Sequence, residues 1–262
     1  MSSINPHVFL TLSSSLRSLS LGSCHLQGKF PKDNLLNLGR NQNLSLDLLK
    51  FNRSSNLEHL DLSRMSFSTE LIDAVDNLQA LKFLDLSENS FIQGLSISIT
   101  NLSSLEHLII VMANYFGGLP DWIGNLVSLK FLDLTYSNLS GPIPSSVLLN
   151  LAQIEYLNMA QNSLDGFIPD EVTAFPHLIY LYLFDNLLNG TLPSWLYTAL
   201  SLKEISLSQN QFSGHIKEFQ SKSLGFSPLY CKNLMHTSTT EERDEDEAQV
   251  GGGGEDKEEL EP

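Results

Sequence analysis

A leucine pattern returns along most of this chain at a nearly constant interval, and that interval restricts the fold more than any other feature. The frame L-x-x-L-x-L-x-x-N places its second apolar position at Leu36, Leu60, Leu84, Leu108, Leu132, Leu157, Leu181 and Ile205, in steps of 24, 24, 24, 24, 25, 24 and 24. An earlier copy stands at Leu16, Leu19, Leu21 and Cys24. Near-equal steps mean one supersecondary unit per period, and such a unit cannot bury its apolar face alone. In L-x-L the two leucines are two residues apart, so both leave a short strand on the same side. Setting the next strand beside the first, about 4.8 Å away, builds a parallel sheet along a solenoid.

The remaining repeated positions have physical reasons too. Asn41, Asn89, Asn162, Asn186 and Asn210 follow the strand, where a buried amide both donates and accepts for the backbone around it. Cys24, Met65, Ala113 and Ser137 take that place in other copies, so this ladder is expected to be weakest from the third to the sixth repeat. Cys24 reads as a buried ladder thiol rather than a redox or metal residue. A second half-motif, G-x-(I/L)-P, follows at Gly117–Pro120, Gly141–Pro144, Gly166–Pro169 and Gly190–Pro193, with Gly28–Pro31 as a variant. Glycine permits a conformation other residues avoid, and proline fixes φ as the chain turns to the convex side. The pairs Ile123/Leu126, Val147/Leu151, Val172/Phe175 and Leu196/Leu200 are expected to close the back of each coil.

These residues carry a family resemblance. L-x-L-x-x-N followed by L-x-G-x-I-P resembles the plant-specific class of leucine-rich repeats. More narrowly, Asn5–Leu10, Ser20–Pro31, Asn41–Ser45, Phe51–Ser63 and Glu218–Leu224 resemble plant receptor-like proteins, over about residues 5–224. The resemblance implies an α/β repeat solenoid: a horseshoe or superhelix with a concave parallel β-sheet and short 3₁₀ or α turns on the convex side. It also implies a signal peptide, an extracellular solenoid, one membrane helix and a short tail without a kinase. Such proteins act in immune perception or development with partner receptor kinases, at the extracellular face of the plasma membrane.

The expected organisation is an incomplete N-terminal edge at 1–15, a repeat domain at 16–224 and an acidic tail at 225–262. The repeat domain holds about nine 24-residue repeats, with the junction from Leu19 to Leu36 shortened to 17. Residues 241–262 hold eleven acids and two bases, so they carry −9 of the net −15 and are expected to be disordered. The paired-cysteine cap, the distal repeats and the membrane helix that the resemblance implies do not occur among the 262 residues. The first basic residue is Arg17, and the longest fully apolar stretch, Leu108–Ala113, is too short for a membrane span. The expectation is therefore a middle slice of a receptor-like protein, arising as a truncated gene product or a misassembled gene model.

Positions flanking the strand leucines point to the concave surface, the usual binding face of such arrays. The position before the second leucine reads His59, Phe83, His107, Phe131, Tyr156, Tyr180 and Glu204. The middle position reads Asp61, Asp85, Ile109, Asp133, Asn158, Tyr182 and Ser206, where Asp is expected to serve solvation and cross-coil hydrogen bonding. Two coils break that habit, one with Ile109, Val111 and Met112, the other with Tyr180, Tyr182, Phe184 and Asp185. Exposed aromatic and methionine residues suit a protein interface. With Tyr156 and Phe131 these are the candidate ligand-binding residues. The alternative is that neighbouring coils stack the rings against one another with no ligand.

Sequons occur at Asn43, Asn52, Asn101, Asn138 and Asn189, each able to carry a glycan if the chain enters the secretory pathway. An acidic chain with 15 Lys+Arg against 30 Asp+Glu lacks the basic patch that nucleic acid needs. Two cysteines make neither a disulfide framework nor a four-thiolate zinc site. His59 and His107 lie about 10 Å apart by strand spacing with Phe83 between them, too far to share one ion. Asp61 and Asp85 are neighbours on an open surface expected to leave their pKa values unshifted. The expected function is non-enzymatic recognition of an extracellular protein, peptide or glycan, with no cofactor and no metal. The alternatives are a secreted inhibitor resembling polygalacturonase-inhibiting proteins, or a truncated non-functional product.

Overall fold

The computed structural model describes residues 57–65, 75, 78–89, 97–115, 117–170 and 175–221, with two paired backbone segments at Gly28–Lys29 and Leu44–Ser45. The N-terminal edge, Cys24, Asn41, Asn43, Asn52, Val172, the shortened junction and the acidic tail lie outside the described residues.

Seven three-residue strands form one parallel sheet: His59–Asp61, Phe83–Asp85, His107–Ile109, Phe131–Asp133, Tyr156–Asn158, Tyr180–Tyr182 and Glu204–Ser206. Their order in space is their order in the chain. The register has no slip, so Leu60, Leu84, Leu108, Leu132, Leu157, Leu181 and Ile205 lie side by side. The six leucines are at most 1% exposed, and full burial of such a side chain stabilises by about 1.5–3 kcal/mol. The second leucine of each L-x-L is buried alongside, through Leu62, Leu86, Ile110, Leu134, Met159, Leu183 and Leu207. Flanking positions are half-buried and face away from this core, except Ser206, which is buried at the last strand.

Behind the main sheet, short turns close the coils. Among the fully described turns, two are 3₁₀, at Ile97–Asn101 and Asp121–Asn125, and two are α-helical, at Ser145–Asn150 and Ser194–Thr198. Pro120, Pro144 and Pro193 cap three of them with φ of −70°, −66° and −67°, the value the ring imposes at a helix start. Ile123, Leu126, Val147, Leu151, Phe175 and Leu196 are buried as expected, but Leu200 is 70% exposed. Ala199 takes its place at 2% exposure, because the helix ends one residue earlier in that coil and the chain passes the core there.

A second parallel sheet, which the motif did not announce, runs through Ser140–Pro142, Ser163–Phe167, Leu187–Gly190 and Gln211–Phe212. It is staggered, so Gly141 faces Leu164, Gly166 faces Leu188 and Gly190 faces Phe212. Gly141, Gly166 and Gly190 hold φ of 78°, 72° and 74°, the left-handed region where a Cβ is costly.

Asparagines stitch coil to coil. Asn162 Oδ1 accepts from the backbone N–H of Ser137 and Leu139, both at 3.0 Å, while its amide donates to the carbonyls of Leu134, Met159 and Ala160. Asn89, Asn186 and Asn210 each span two coils in the same manner. Ser137 keeps part of the pattern: its hydroxyl donates to Ile110 O and accepts from Ala113 N–H. Ala113 has no polar side chain to reach back. The weak step therefore falls at Ala113, where Val111 N–H instead donates to Ser87 Oγ at 3.1 Å.

Candidate ligand-recognition surface

The unslipped register decides what the concave face presents. Parallel strands about 4.8 Å apart bring residues of one column within ring-stacking distance. His59 stacks on Phe83 with centroids 3.9 Å apart and planes 3° from parallel. Phe83 and His107 follow at 6.1 Å, His107 and Phe131 at 5.7 Å, and Phe131 and Tyr156 at 4.1 Å with planes 5° apart. Tyr156 then meets Tyr180 at 6.0 Å and Tyr182 at 5.6 Å. The result is one continuous ribbon of half-buried rings across six coils. The rings do stack on one another, and the ribbon still keeps one side toward solvent.

The ribbon ends in a tyrosine cluster. Tyr180 and Tyr182 lie 6.5 Å apart with planes 14° from parallel. Tyr156 Oη accepts from Asn158 Nδ2 at 3.2 Å. Burial first, and the nearby Glu204 carboxylate second, push the Tyr182 pKa well above the usual phenol value. Burial raises Tyr156 as well. These phenols are neutral donors in any neutral or acidic medium.

The aspartates of the middle column accept backbone hydrogen bonds within their own coils. Asp61 Oδ1 accepts from Ser63 N–H at 2.9 Å, Asp85 from Ser87 N–H at 2.8 Å and Asp133 from Thr135 N–H at 3.0 Å. Asn158 does the same for Ala160 at 3.1 Å. Each is an Asx turn that closes the chain after the strand. The expectation that nothing would shift such carboxylates is corrected: burial raises the pKa of both Asp85 and Asp133 against the lowering effect of these hydrogen bonds. Asp61 and Asp85 are in register, each accepts a bond from its own turn, and the Asp61 charge adds to the rise at Asp85.

Met112 and Asp185 lie apart from the concave strands. They belong to a turn column of left-handed residues, Arg64, Glu88, Met112, Tyr136, Gln161, Asp185 and Gln209, with φ between 53° and 57°. Four of these, Met112, Tyr136, Gln161 and Asp185, line a shallow groove of about 500 Å³ on the rim together with Asn114 and Asn138. Tyr136, 60% exposed, was missed from the sequence because the frame marks it only as an x position. A charged column was missed as well: Glu58, Lys82, Glu106, Lys130 and Glu155 alternate in sign. Lys82 pairs with Glu58 at 3.1 Å and Lys130 with Glu106 at 2.9 Å. Reading the position before the ring column would have found it. Ile109 is half-buried on the main sheet, next to Asp85 and Asp133, and Val111 and Phe184 are half-buried beyond their strands. Of the described sequons, Asn101 and Asn138 are exposed and Asn189 is half-buried within Leu187–Gly190.

Among the described residues no group of three or more His, Cys, Asp or Glu side chains could hold a metal ion. Among those same residues no helix is long and apolar enough to cross a membrane.

A family model described as Leucine Rich Repeat matches residues 56–78, 128–148 and 177–199. No curated protein sequence matches the chain. Solved structures do. The Arabidopsis receptor kinase HAESA ectodomain, in complex with an N-terminally extended IDA peptide hormone, is 28% identical with a TM-score of 0.61, over 80% of this chain and 36% of that one. The PEPR1–AtPEP1 structure is 27% identical with a TM-score of 0.61, over 82% and 31%. The plant peptide hormone receptor RGFR1 in complex with RGF2 is 24% identical with a TM-score of 0.65, over 85% and 37%. The chain thus spans about a third of the length of these relatives.

The coil geometry and the three repeat matches show a leucine-rich-repeat solenoid fold. Within that fold, the chain is similar to the leucine-rich-repeat ectodomain of a plant receptor kinase.

Proposed function

We propose that this chain is the recognition segment of a kinase-less plant receptor-like protein, and that it binds an extended extracellular peptide along the concave ring ribbon. The observation that carries this reading is the ribbon itself, continuous from His59 through Phe131 to Tyr182. An extended peptide advances about 3.3 Å per residue, so alternate side chains fall against successive rings. The rings are held by one another before the ligand arrives, which lowers the entropy cost of binding. Tyr156, Tyr180 and Tyr182 add donors at one end, and Ile109 with Val111 add an apolar step in the middle. HAESA is described in complex with a peptide hormone ligand, which supports the peptide among the possible ligand classes. Signalling then passes through a partner receptor kinase at the extracellular face of the plasma membrane, in immunity or development.

A library of random dodecapeptides selected on the folded chain tests this. Enrichment of peptides whose binding weakens at least tenfold in Tyr156→Ala and Tyr182→Ala, but not in Gln209→Ala, is the expected result. Recovery of no binder, or of binders indifferent to both tyrosine changes, would sink it.

A further inference from the structure

Tyr136 is out of keeping with its column. Five of its six counterparts, Arg64, Glu88, Gln161, Asp185 and Gln209, are polar, as suits a left-handed turn in solvent; Tyr136 leaves a large ring 60% exposed, and only Met112, 55% exposed, also departs from the pattern. Two residues further on, Asn138 opens the sequon Asn138-Leu139-Ser140. Tyr136 and Asn138 both hold left-handed φ, 54° and 59°, and both line the rim groove beside Met112 and Asn114. The segment between them is fixed from below. Ser137 is 1% and Leu139 3% exposed, and both backbone N–H groups donate to Asn162 Oδ1 at 3.0 Å. The exposed Asn138 side chain thus stands on a rigid base next to an exposed ring.

We infer that Asn138 carries an N-linked glycan and that the Tyr136 face is the platform for its first N-acetylglucosamine. The inference rests on the secretory half of the proposed function, not on the peptide. In the transfer, the Asn138 amide nitrogen attacks the anomeric carbon of a lipid-diphosphate-linked oligosaccharide. The C–N bond forms, the C–O bond breaks, the electron pair leaves with the lipid diphosphate, and the amide proton passes to the transferase's base. The sugar's apolar CH face then covers the ring, which removes apolar surface from water on both sides. The Asn114 and Gln161 amides, on the same groove, match the sugar's acetamido and hydroxyl groups as donors and acceptors. The other described sequons lack this setting. Asn189 is half-buried inside a paired strand, and Asn101 is exposed but has buried Ile99, not a ring, two residues before it. A glycan at Asn138 covers Met112 and Tyr136 and leaves the concave ribbon as the open face.

The test expresses the whole chain behind a cleavable secretory leader in plant cells, followed by glycopeptide mass spectrometry and thermal melting. Asn138 should be occupied. Ser140→Ala, which removes the sequon but not the asparagine, should lower the melting midpoint by several degrees. Trimming the glycan to its first N-acetylglucosamine should preserve most of that gain. Tyr136→Ala should cost several degrees in the glycosylated chain and little in the Ser140→Ala background, whereas Asn101→Gln should shift nothing. An unoccupied Asn138 in the secreted chain overturns the inference. So does a Tyr136→Ala effect of equal size with and without the sugar. A chain that binds no peptide yet shows this coupling removes the ligand reading and leaves the glycan platform standing.

Discussion

Phe131 and Tyr156 lie face to face, centroids 4.1 Å apart and planes 5° from parallel, although 25 residues separate them. No helix or pocket wall brings them together. Their strands are paired without slip, so a one-residue insertion in the intervening coil is absorbed at its back and the column is preserved. Each ring in the ribbon supports its neighbours, so a change at one position acts on stability and on any ligand together.

Tyr156 is the place to separate those two effects. Its ring touches Phe131, Tyr180 and Tyr182, whereas its hydroxyl accepts one bond from Asn158. Tyr156→Ala should destabilise the solenoid by about 1–3 kcal/mol through lost ring contacts and burial. Tyr156→Phe keeps the stack and should stay within about 0.5–1.5 kcal/mol of the parent, the net worth of one hydrogen bond. Urea melts of the three proteins decide; equal losses in both variants would mean that the hydroxyl, not the stack, matters.

Asn162 is the ladder residue whose loss should be felt most locally. Its removal leaves Ser137 and Leu139 N–H without their acceptor and three carbonyls without their donor. Each buried group left unpaired costs about 1–3 kcal/mol, so Asn162→Ala should lose on the order of 3 kcal/mol or more. Asn162→Ser should recover part of this, since Ser137 shows a hydroxyl serving two coils. Hydrogen exchange at Ser137 and Leu139 reads the effect directly: those amides should lose protection first.

Asp85 offers a gain. Burial raises its pKa above the ordinary carboxylate value, so the folded state holds its proton more tightly than the unfolded chain. As pH rises from about 3.9, the unfolded carboxyl ionises first and stability falls until the folded group has ionised too. Asp85→Asn removes that loss and keeps an acceptor for Ser87 N–H, as Asn158 does for Ala160. At neutral pH this variant should be at least as stable as the parent, while Asp85→Ala should lose about 0.5–1.5 kcal/mol with its Asx turn. Melts at neutral pH rank the three; Asp85→Asn falling below the parent contradicts the argument.

The columns of this fold are legible in the sequence because each is fixed by a single strong requirement. A leucine at Leu84 or Leu132 has nowhere to go but the core, and an amide at Asn186 is worth its place only between coils. The second sheet is not legible in that manner. Ser140-Gly141-Pro142 contains residues depleted in strands, and it is extended only because Ser163–Phe167 lies beside it. The left-handed turns are hidden for a similar reason: Arg64, Glu88 and Met112 have no local preference for φ > 0, and the stacked coil imposes it. Likewise Leu196/Leu200 follows the motif spacing, but the slip to Ala199 depends on where a five-residue helix stops. The ring column could be read off as letters; that His59 lies flat on Phe83 while Tyr156 tilts to Tyr182 comes from packing.

Alkaline pH should expose the tyrosine cluster. Burial, and then the nearby Glu204 carboxylate, raise the Tyr182 pKa, and burial also raises Tyr156 and Tyr115. The unfolded chain releases its phenol protons near pH 10 while the folded chain keeps them. Above that pH the unfolded state binds fewer protons, so stability falls as pH rises; below about pH 9 both states hold the protons and the cluster contributes no pH dependence. Tyr182→Phe deletes one of three such groups and leaves Tyr115 and Tyr156 in place, so its stability should decline less steeply above pH 10. Urea melts of parent and variant between about pH 8 and pH 11 give both slopes. Matching slopes would mean that the Tyr182 hydroxyl ionises as freely when folded as when unfolded, and that neither its burial nor Glu204 acts on it in solution.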